Sequence, residues 1–580
     1  MRTRRLIVRA AILAIFALLV ARLWQIQVVH GREYRRASEQ NRIRLIRREA
    51  ARGTIYDRRG RILATSRPCL DVVVTPEEFG DDPEAVAQLA RILHAGPAEI
   101  AAKLTDRDGP FEAVTVAGDV PFSIATRAAE EGIHVKGMRL ECRPVRYYPR
   151  GPFAAHVLGY VREISARELQ QARDSDSGYT ARDRIGKDGV ERVCEASLRG
   201  ADGGEQIEVD AAGKLVQVLG EVAAVAGDAV TLSLDVDVQR VAEGGLAGKR
   251  GAAVAMDARS GEILALASSP TFDPNTLSGK VSRAQWRHLS GPSWPQQNRA
   301  LAALYEPGSI FKLVTAAAGI ESGHAASSSL FFCPGYWQLG KWRFHCWQRG
   351  GHGSLDLVSG IAQSCNVTFI KLGRSVGRPG LERWAKAFGL GAETGIDLPG
   401  ENSGLVPNPQ WKHERFDEAW YPGDTCQMAV GQGGLLITPL QAAVVTAAIA
   451  NGGYLVTPHV VRAVGDVPVG TNRPRPVGID PATAAVLRRG MAAVVGRGTA
   501  RRIRDRSFPI AGKTGTAENP HGQPHAWFVG FAPVEEPQVV VAVLVEQGGS
   551  GTAMAPIGAA MLRAALKGDE SERASVARLP

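Results

Sequence analysis

The longest apolar stretch of the chain lies at its N-terminus. Ala10–Ala21 contains no charged side chain, and with Arg9 and Arg22 included the apolar pattern runs from Leu6 to Val29. As a helix the longer stretch would measure about 36 Å at roughly 1.5 Å per residue, which crosses a bilayer if both arginines extend to the interface. The shorter run alone would suit a signal peptide, but no small-x-small cleavage site follows it. We therefore predict an uncleaved transmembrane anchor within residues 1–30.

The region after the anchor, residues 31–225, is polar and contains short strand patterns. Thr54–Ala64 indicates two strands around a turn at Arg58-Arg59-Gly60, and Leu70–Thr75 indicates another strand. No nucleophile with its partners is found here. His156 could serve as a base, but without such partners we interpret it as a structural histidine. The pattern predicts a β-rich, non-catalytic domain.

Residues 226–567 combine strand and helix patterns. Apolar runs bounded by turn residues predict strands near both ends of this region: Val230–Leu234, Gly251–Asp257, Glu262–Ser268, Trp527–Phe531 and Val539–Val545. Helical patterns lie between them, for example at Val314–Ile320 and Leu440–Ala450. This arrangement predicts an α+β domain with a central antiparallel sheet flanked by helices. Residues 568–580 are polar, and we predict that they form a disordered tail.

Positive charge is concentrated next to the predicted anchor. Residues 1–61 contain sixteen arginines, no lysine and four acidic residues, a charge of +12, whereas the whole chain has +10 and the remainder is therefore −2. Attraction to anionic lipid head groups explains this excess. No nucleic-acid-binding motif accompanies it, so we expect no nucleic-acid partner. Because basic residues keep the N-terminus in the cytoplasm, we expect the rest of the chain outside the membrane.

Three short motifs stand in order in the second region: Ser309-Ile-Phe-Lys312, Ser364-Cys365-Asn366 and Lys513-Thr514-Gly515-Thr516. Each motif alone is common, but together they supply a serine nucleophile and the accessory groups of acyl transfer. A lysine three residues after a serine on a helix shares the same face, so the Lys312 amine can reach the Ser309 hydroxyl.

The lysine can accept the serine proton only when its amine is neutral. A free lysine has a pKa of about 10.4, so we expect burial and a second cation, Lys513, to lower the pKa of Lys312. Pro307-Gly308 indicates a helix start. The N–H of Ser309 and an N–H on the Lys513 strand would then bind the developing oxyanion.

The sequence around these motifs resembles the class B penicillin-binding proteins, from residue 1 to residue 567. The resemblance is carried by Tyr305-Glu306-Pro307-Gly308-Ser309, Thr394-Gly395-Ile396-Asp397-Leu398-Pro399-Gly400-Glu401, Gly431-Gln432-Gly433, Thr438-Pro439-Leu440-Gln441 and Arg52-Gly53-Thr54-Ile55-Tyr56-Asp57-Arg58-Arg59-Gly60. Within the class, His525-Ala526-Trp527-Phe528, Trp411-Lys412 and Trp420-Tyr421-Pro422-Gly423-Asp424 are similar to the elongation, or cell-shape, branch known as penicillin-binding protein 2. The division-type branch is the nearest alternative.

The resemblance implies a peptidoglycan D,D-transpeptidase that cross-links stem peptides during cell elongation and is inhibited by β-lactams. It implies that Ser309 is the nucleophile and Lys312 its base, that Ser364 relays a proton, and that Asn366 holds the substrate amide. Lys513, Thr514, Gly515 and Thr516 would bind the terminal carboxylate. The chemistry itself requires no cofactor.

The resemblance also implies a single-pass protein of the bacterial inner membrane with its catalytic domain (226–567) in the periplasm. Residues 31–225 would be a dimerisation-type pedestal. Since they lack a glycosyltransferase signature, we expect a separate SEDS-type glycan polymerase and other elongation-complex proteins as partners. A β-lactamase is an alternative, but no Glu-x-x-Leu-Asn lies between Ser364 and Lys513. A non-catalytic β-lactam sensor is another, but few residues precede the anchor to carry a signal.

Seven cysteines, an odd number, cannot all pair. Three of them form the pattern Cys333-x12-Cys346-x5-His352-x12-Cys365, the ligand types of a tetrahedral structural zinc site. In some elongation-type members the equivalent segment looks to bind zinc through a histidine, a cysteine and two carboxylates. This chain has Cys333 and Cys346 where those members have the carboxylates. We expect zinc here, supporting the loop that contains Cys365. A Cys333–Cys346 disulfide or free thiols are the alternatives.

Overall fold

The structure is a computed structural model, which describes residues 2–30, 43–80, 82–105, 113–174, 178–181, 183–209, 215–279, 281–470, 473–520 and 522–576. The chain forms two compact units. The first unit contains residues 1–53, 66–145 and 199–227, and the second contains residues 54–65, 146–198 and 228–580.

The N-terminal helix α1 spans Arg2–Trp24, and a π-helical turn, Gln25–Val29, continues it. Within the described residues, Ile12–Val29 is the one segment long and apolar enough to cross a membrane, judged by length and composition. None of its described side chains is buried. The span agrees with the predicted anchor.

Between residues 43 and 222 the strands are β1 (Ile43–Arg48), β2 (Ile55–Tyr56), β3 (Ile62–Val74), β4 (Val114–Ala117), β5 (Met138–Tyr147), β6 (Val161–Glu163), β7 (Arg184–Gly186), β8 (Gly203–Val209) and β9 (Leu215–Val222). The helices are α2 (Pro76–Phe79), α3 (Pro83–Leu93), α4 (Pro97–Thr105), α5 (Phe122–Glu131), α6 (Ala155–Leu158), α7 (Ala166–Asp174), α8 (Gly189–Val193) and α9 (Glu195–Leu198).

The first unit contains two groups of strands. β1, β8 and β9 form one antiparallel sheet, while Val72–Val74 of β3 pair with β4. Helices α3, α4 and α5 pack beside β4 around a small apolar core that includes Val72, Leu89 and Ile92. This confirms the expected β-rich character of the region.

The segment Arg146–Leu198 packs within the second unit, whereas the sequence analysis placed it in the region 31–225. Tyr148, Val157 and Leu198 are buried in the same apolar core as the strands near the C-terminus. The predicted hairpin within Thr54–Ala64 also belongs to this unit: β2 pairs with the start of β3.

From residue 228 the strands are β10 (Val230–Leu232), β11 (Gly251–Asp257), β12 (Ile263–Ser269), β13 (Phe331–Cys333), β14 (Tyr336–Leu339), β15 (Trp342–His345), β16 (Gly353–Leu355), β17 (Tyr454–Leu455), β18 (Val461–Val464), β19 (Val467–Pro468), β20 (Arg475–Pro476), β21 (Ala511–Ala517), β22 (His525–Ala532) and β23 (Val539–Val545). The helices are α10 (Val236–Leu246), α11 (Pro274–Ser278), α12 (Arg283–Leu289), α13 (Lys312–Glu321), α14 (Leu357–Ala362), α15 (Asn366–Ala387), α16 (Pro409–Phe416), α17 (Pro422–Ala429), α18 (Pro439–Ala450), α19 (Pro481–Arg497) and α20 (Ala555–Val576).

A five-stranded antiparallel sheet, in the order β12-β11-β23-β22-β21, organises the second unit. Every residue of β23 is buried, so both faces of the sheet are covered. Helices α10 and α20 pack on the sheet and on each other, and α18 packs on β11, β22 and β23. The predicted antiparallel sheet with flanking helices is confirmed. Strand β21, which carries the third motif, forms one edge of this sheet.

The C-terminal end of the chain differs from the prediction of a disordered tail from residue 568. Helix α20 continues to Val576, and residues 577–580 lie outside the described residues. The helix is anchored earlier, where Met561, Leu562 and Leu566 are buried on the sheet. Its polar continuation prolongs the same helix, because adding residues to an existing helix costs far less than nucleating one.

Candidate active site

The first motif forms a tight turn at the start of a buried helix. Gly308–Ile310 is a 3-10 turn, and α13 begins at Lys312. Residues three positions apart along helical backbone share a face, so Ser309 and Lys312 project from the same side. Ser309 is partly exposed, whereas the Lys312 side chain is completely buried. The serine can therefore meet a substrate while the lysine stays out of water.

Two glycines allow this turn to lie directly against β21. Gly308 has a φ of +52°, its N–H donates to Gly431 O at 2.8 Å, and a Cβ added to it would lie 2.7 Å from Thr516 O. A Cβ on Gly515 would lie 3.1 Å from Ile310 Cγ1. The carbonyl of Thr516 thus faces the turn. Because the N–H and C=O of a strand residue point to the same side, its N–H faces the turn as well.

The Lys312 amine is held by the second motif. Its Nζ donates to Ser364 O at 2.8 Å and to Asn366 Oδ1 at 2.6 Å, and it lies 3.3 Å from Ser364 Oγ. A neutral amine has two N–H bonds and one lone pair. If the carbonyl and the amide oxygen take both N–H bonds, the lone pair remains available to accept a hydroxyl proton. The geometry therefore suits a base.

Ser364 lies between two lysines. Lys513 Nζ donates to Ser364 Oγ at 2.8 Å and to Thr514 O at 2.7 Å. Ser364 has a φ of +53°, an uncommon conformation for a residue other than glycine, and its side chain is nearly buried. Strain of this kind persists only where the surroundings hold the residue firmly. The structure therefore brings the first, second and third motifs to one hydroxyl group.

Burial is the main cause of the shifts in both lysine pKa values. It lowers the pKa of Lys312 to about 8, and the nearby thiols Cys346 and Cys365 oppose this effect. Burial and the positive charge of Lys312 lower the pKa of Lys513 well below its ordinary value. The expected repulsion between the two amines thus acts on the pKa of Lys513, while burial depresses that of Lys312. Burial of both amines therefore disfavours the state in which Lys312 and Lys513 are both protonated.

Asn366 is fixed at both ends of its amide. Its Oδ1 accepts from Lys312, and its Nδ2 donates to His345 O at 3.0 Å. These partners define which way the amide faces and leave one N–H for a ligand. The carbonyl of His345, at the end of β15, is a site group that the sequence did not indicate, because a backbone carbonyl leaves no signature in side-chain types.

The third motif presents hydroxyl groups along β21. Thr516 is exposed and Thr514 is nearly buried. Thr514 Oγ1 lies 2.6 Å from Thr499 Oγ1, and Gly551 N donates to Thr516 Oγ1 at 3.4 Å. Thr499, which follows α19, was not predicted as a site residue, because an isolated threonine in Gly-Thr-Ala gives no chemical signal.

The cysteines and the histidine singled out by spacing also come together. Cys346 Sγ lies 3.5 Å from His352 Nδ1 and 4.0 Å from Cys365 Sγ, and Cys333 Sγ lies 3.7 Å from the same histidine nitrogen. All four ligand atoms are within 4.8 Å of one another. The three cysteines are free thiols, so the alternative Cys333–Cys346 disulfide is not present. The contact between the two thiols lowers the pKa of Cys346 and raises that of Cys365.

His156 takes no part in this arrangement. It is buried on α6, its Nε2 donates to Pro295 O at 2.8 Å, and its ring packs edge-on against Phe272. Burial lowers the pKa of His156 to about 4, so the ring stays neutral near pH 7. These contacts agree with the interpretation of a structural histidine.

Sequence comparisons cover both regions of the chain. The penicillin-binding protein transpeptidase domain matches residues 251–563, and the penicillin-binding protein dimerisation domain matches residues 47–232. The chain belongs to the penicillin-binding proteins. The family expected from the motifs is confirmed.

Individual penicillin-binding proteins resemble the chain over most of its length. The peptidoglycan D,D-transpeptidase MrdA of Acinetobacter baumannii is 35% identical over 94% of this chain and 85% of that protein. In a solved complex between PBP2 and MreC from Helicobacter pylori, one chain superposes with a TM-score of 0.82 at 29% identity, covering 90% of this chain and 99% of that one. A chain in a solved structure of a peptidoglycan synthase complex superposes with a TM-score of 0.74 at 33% identity, covering 97% of this chain and 98% of that one.

Proposed function

We propose that this penicillin-binding protein is an elongation-type peptidoglycan D,D-transpeptidase that works through an acyl-enzyme on Ser309. The observation that carries the proposal is the Ser364 hydroxyl, which lies within hydrogen-bonding distance of both Lys312 and Lys513. Such an arrangement connects the amine beside the nucleophile to the strand that would hold the substrate. The similarity to MrdA supports the substrate and the elongation role.

In the acylation step, Ser309 Oγ attacks the carbonyl between the two terminal D-alanines of a donor stem peptide. Neutral Lys312 takes the hydroxyl proton as the new C–O bond forms. The N–H groups of Ser309 and Thr516, which lie on facing elements, would stabilise the oxyanion. When the C–N bond breaks, the proton passes from Lys312 through Ser364 to the leaving D-alanine amine.

In the second step, an amine of a neighbouring stem peptide attacks the ester on Ser309. Its proton moves to Lys312 and then to Ser309 Oγ as the C–O bond breaks, which regenerates the enzyme and leaves a new amide cross-link. Asn366 would hold the amide of the donor. Thr514 and Thr516 on β21, with Lys513 and Gly515 in the same strand, would bind the terminal carboxylate. A β-lactam would follow the first step and deacylate slowly.

Labelling with a fluorescent penicillin tests the assignment of the nucleophile. We expect the intact protein to be labelled, Ser309→Ala to be unlabelled, and Lys312→Ala to react at least about a hundredfold more slowly because a positioned base is lost. Ser322→Ala, an exposed serine at the end of the same helix, is the matched control and should label normally. Covalent label retained on Ser309→Ala would refute the proposal. Depletion of the protein should make the cells round, whereas filamentous cells would indicate the division-type branch.

We further propose a single-pass location in the bacterial inner membrane, with α1 as the anchor and the second unit in the periplasm. The apolar span Ile12–Val29 and the arginines before it support this orientation. Similarity to chains solved with MreC and in a peptidoglycan synthase complex supports elongation-complex proteins and a SEDS-type glycan polymerase as partners.

We also propose that Cys333, Cys346, His352 and Cys365 hold a structural zinc ion. Zn–S and Zn–N bonds of about 2.3 and 2.0 Å in a tetrahedron require S···S and S···N separations of about 3.8 and 3.5 Å. The separations of 4.0, 3.5 and 3.7 Å between the ligand atoms come close to these values. The residues therefore fit zinc. The ion would fix Cys365, whose neighbours Ser364 and Asn366 contact Lys312.

Elemental analysis of the purified protein tests this site. We expect about one zinc per chain, as a single four-ligand site requires. Cys346→Ser should lose the metal and His352→Ala should bind it weakly, while Cys426→Ser, a buried thiol outside the cluster, should retain it. A metal-free protein whose mass reveals a Cys333–Cys346 disulfide would contradict the proposal.

A further inference from the structure

Thr499 connects two parts of the site without belonging to any of the three motifs. Its N–H donates to Ala362 O at 3.3 Å, at the end of α14 and two residues before Ser364. Its own carbonyl accepts from Thr552 Oγ1 at 3.2 Å, in the turn after β23. With both backbone groups tied to separate elements, the direction of the Thr499 side chain is fixed by the fold. That side chain points at Thr514.

The hydroxyls of Thr499 and Thr514 are 2.6 Å apart, a short hydrogen bond. Within the part of the chain that the structure describes, Thr499 is the protein partner recorded for Thr514 Oγ1. A hydroxyl has one proton to donate and two lone pairs. When Thr499 donates to Thr514, the proton of Thr514 is free for a ligand, and the received bond makes it a stronger donor.

The backbone carbonyl of Thr514 is already occupied by Lys513 Nζ at 2.7 Å. The hydroxyl proton of Thr514 is a group that this residue can offer to an acceptor on the substrate. A carboxylate is a charged acceptor without protons of its own, and it would polarise the chain from Thr499 through Thr514 toward itself. An ester or amide at the same place carries no charge, so its hydrogen bond from the Thr514 hydroxyl would be much weaker.

We propose that Thr499 is a positioning residue that directs the Thr514 hydroxyl toward the terminal carboxylate of the acyl donor. It thereby sets the preference for donors that end in a free carboxylate. This inference rests on the proposed acylation of Ser309. It assigns to Thr499 no contact with the reacting atoms.

The test compares acylation of the full-length protein by a penicillin and by the methyl ester of the same penicillin. Thr499→Val keeps the shape of the side chain and removes the hydroxyl. We expect the second-order rate constant for the penicillin, divided by that for its methyl ester, to fall about tenfold. This is the scale of one hydrogen bond to a charged group. The rate with the ester should change less than about twofold, because that reaction does not use the aligned proton.

Three further variants make the result specific. Thr499→Ser retains the hydroxyl and should restore the ratio, and Thr446→Val, the same substitution in buried helix α18, should leave it unchanged. Combining Thr499→Val with Thr514→Val should give the same ratio as Thr514→Val alone, because Thr499 acts through Thr514. Thr499→Ala provides the same comparison if the valine variant does not fold.

Equal losses with both ligands would show that Thr499 only supports the fold, and an unchanged ratio would show that the hydroxyl is not used. Either outcome overturns the inference. If neither ligand acylates the unaltered protein, the proposed function itself is wrong, and the inference falls with it.

Discussion

Lys312 can act as a base because its amine is buried away from solvent. Burial lowers its pKa to about 8. A base works in its neutral form, so acylation should be slow below this pH and should increase as the pH rises through it. We expect penicillin acylation rates between about pH 6.5 and 9.5 to rise and then level off, with a midpoint near 8. Stopped-flow or gel-based labelling would measure the profile.

Replacing Lys312 by arginine separates charge from basicity. Arginine keeps the positive charge but does not lose its proton in this pH range, so Lys312→Arg should label very slowly at every pH. Lys386→Arg, an exposed lysine on α15, should keep the original profile. A flat profile for the intact protein would show that another group accepts the serine proton.

Gly308 shows how much the nucleophile depends on backbone packing. Alanine at this position would carry a positive φ and place its Cβ 2.7 Å from Thr516 O, so the turn would have to move away from β21. We expect Gly308→Ala to lower the rate of penicillin acylation by at least about tenfold, since small displacements of a reacting group are costly. Gly323→Ala has the same backbone problem, with φ of +69°, but meets nothing within 4 Å.

The comparison between these two glycines isolates the contact. Both variants should lose about 1 kcal/mol of stability from the positive φ, whereas only Gly308→Ala should lose reactivity. Equal labelling of the two would mean that the turn tolerates displacement and that the oxyanion groups are elsewhere.

At the scale of elements, α18 illustrates how buried helix ends are satisfied. The helix is buried along its entire length, and its first turn is closed by a capping box between Thr438 and Gln441. Thr438→Ala should cost about 1–2 kcal/mol, because it leaves a buried N–H without a partner. We expect a lower melting temperature with an unchanged rate of penicillin acylation, since α18 does not contribute a side chain to the site.

Helix α12 provides the matched control, because it has the same capping box at an exposed position, Ser282 with Gln285. Water can replace the lost bond there, so Ser282→Ala should lower the melting temperature less than Thr438→Ala. Equal effects would mean that burial of the cap is unimportant in this protein.

Elements with a regular pattern and a clear turn could be predicted from the sequence. β11 and β12 are apolar runs that pair on either side of Ala258-Arg259-Ser260-Gly261, and Gly261 indeed has a positive φ. The short strands β13–β16 were not predicted, because three or four residues carry too little periodicity. The packing of residues 146–198 in the second unit was also missed, since it depends on apolar contacts with strands far away in the sequence.

The same distinction applies to the site. The residue types and their spacing predicted Ser309, Lys312 and the other motif residues. The cysteine pattern together with the family resemblance predicted a metal-binding set, which stays a prediction. What the sequence could not provide was the conformation of Ser364 or the bonds made by Thr499 and the carbonyl of His345. These depend on where separate elements meet, and a backbone carbonyl is present in every residue.

At the scale of the whole molecule, charge and apolar length both point to the N-terminus as the membrane-binding part. None of the described side chains of Ile12–Val29 is buried, and the chain beyond residue 61 has a net charge of −2. The proposed catalytic residues all lie in the second unit, which has its own large apolar core. Membrane attachment and acylation should therefore be separable.

Removing residues 2–30 tests this separation. We expect the shortened protein to leave the membrane fraction for the soluble fraction, because the remaining described chain offers no other segment long and apolar enough to span a bilayer. Its rate of penicillin acylation should stay within about twofold of the full-length value, since the residues proposed for acylation all lie in the second unit, which has its own apolar core. Leu18→Arg in the full-length chain should weaken insertion by about 3 kcal/mol, whereas Leu18→Ile should not. A shortened protein that still sediments with membranes would show that another surface binds lipid or a membrane partner, and a large loss of acylation would show that the anchor supports the fold.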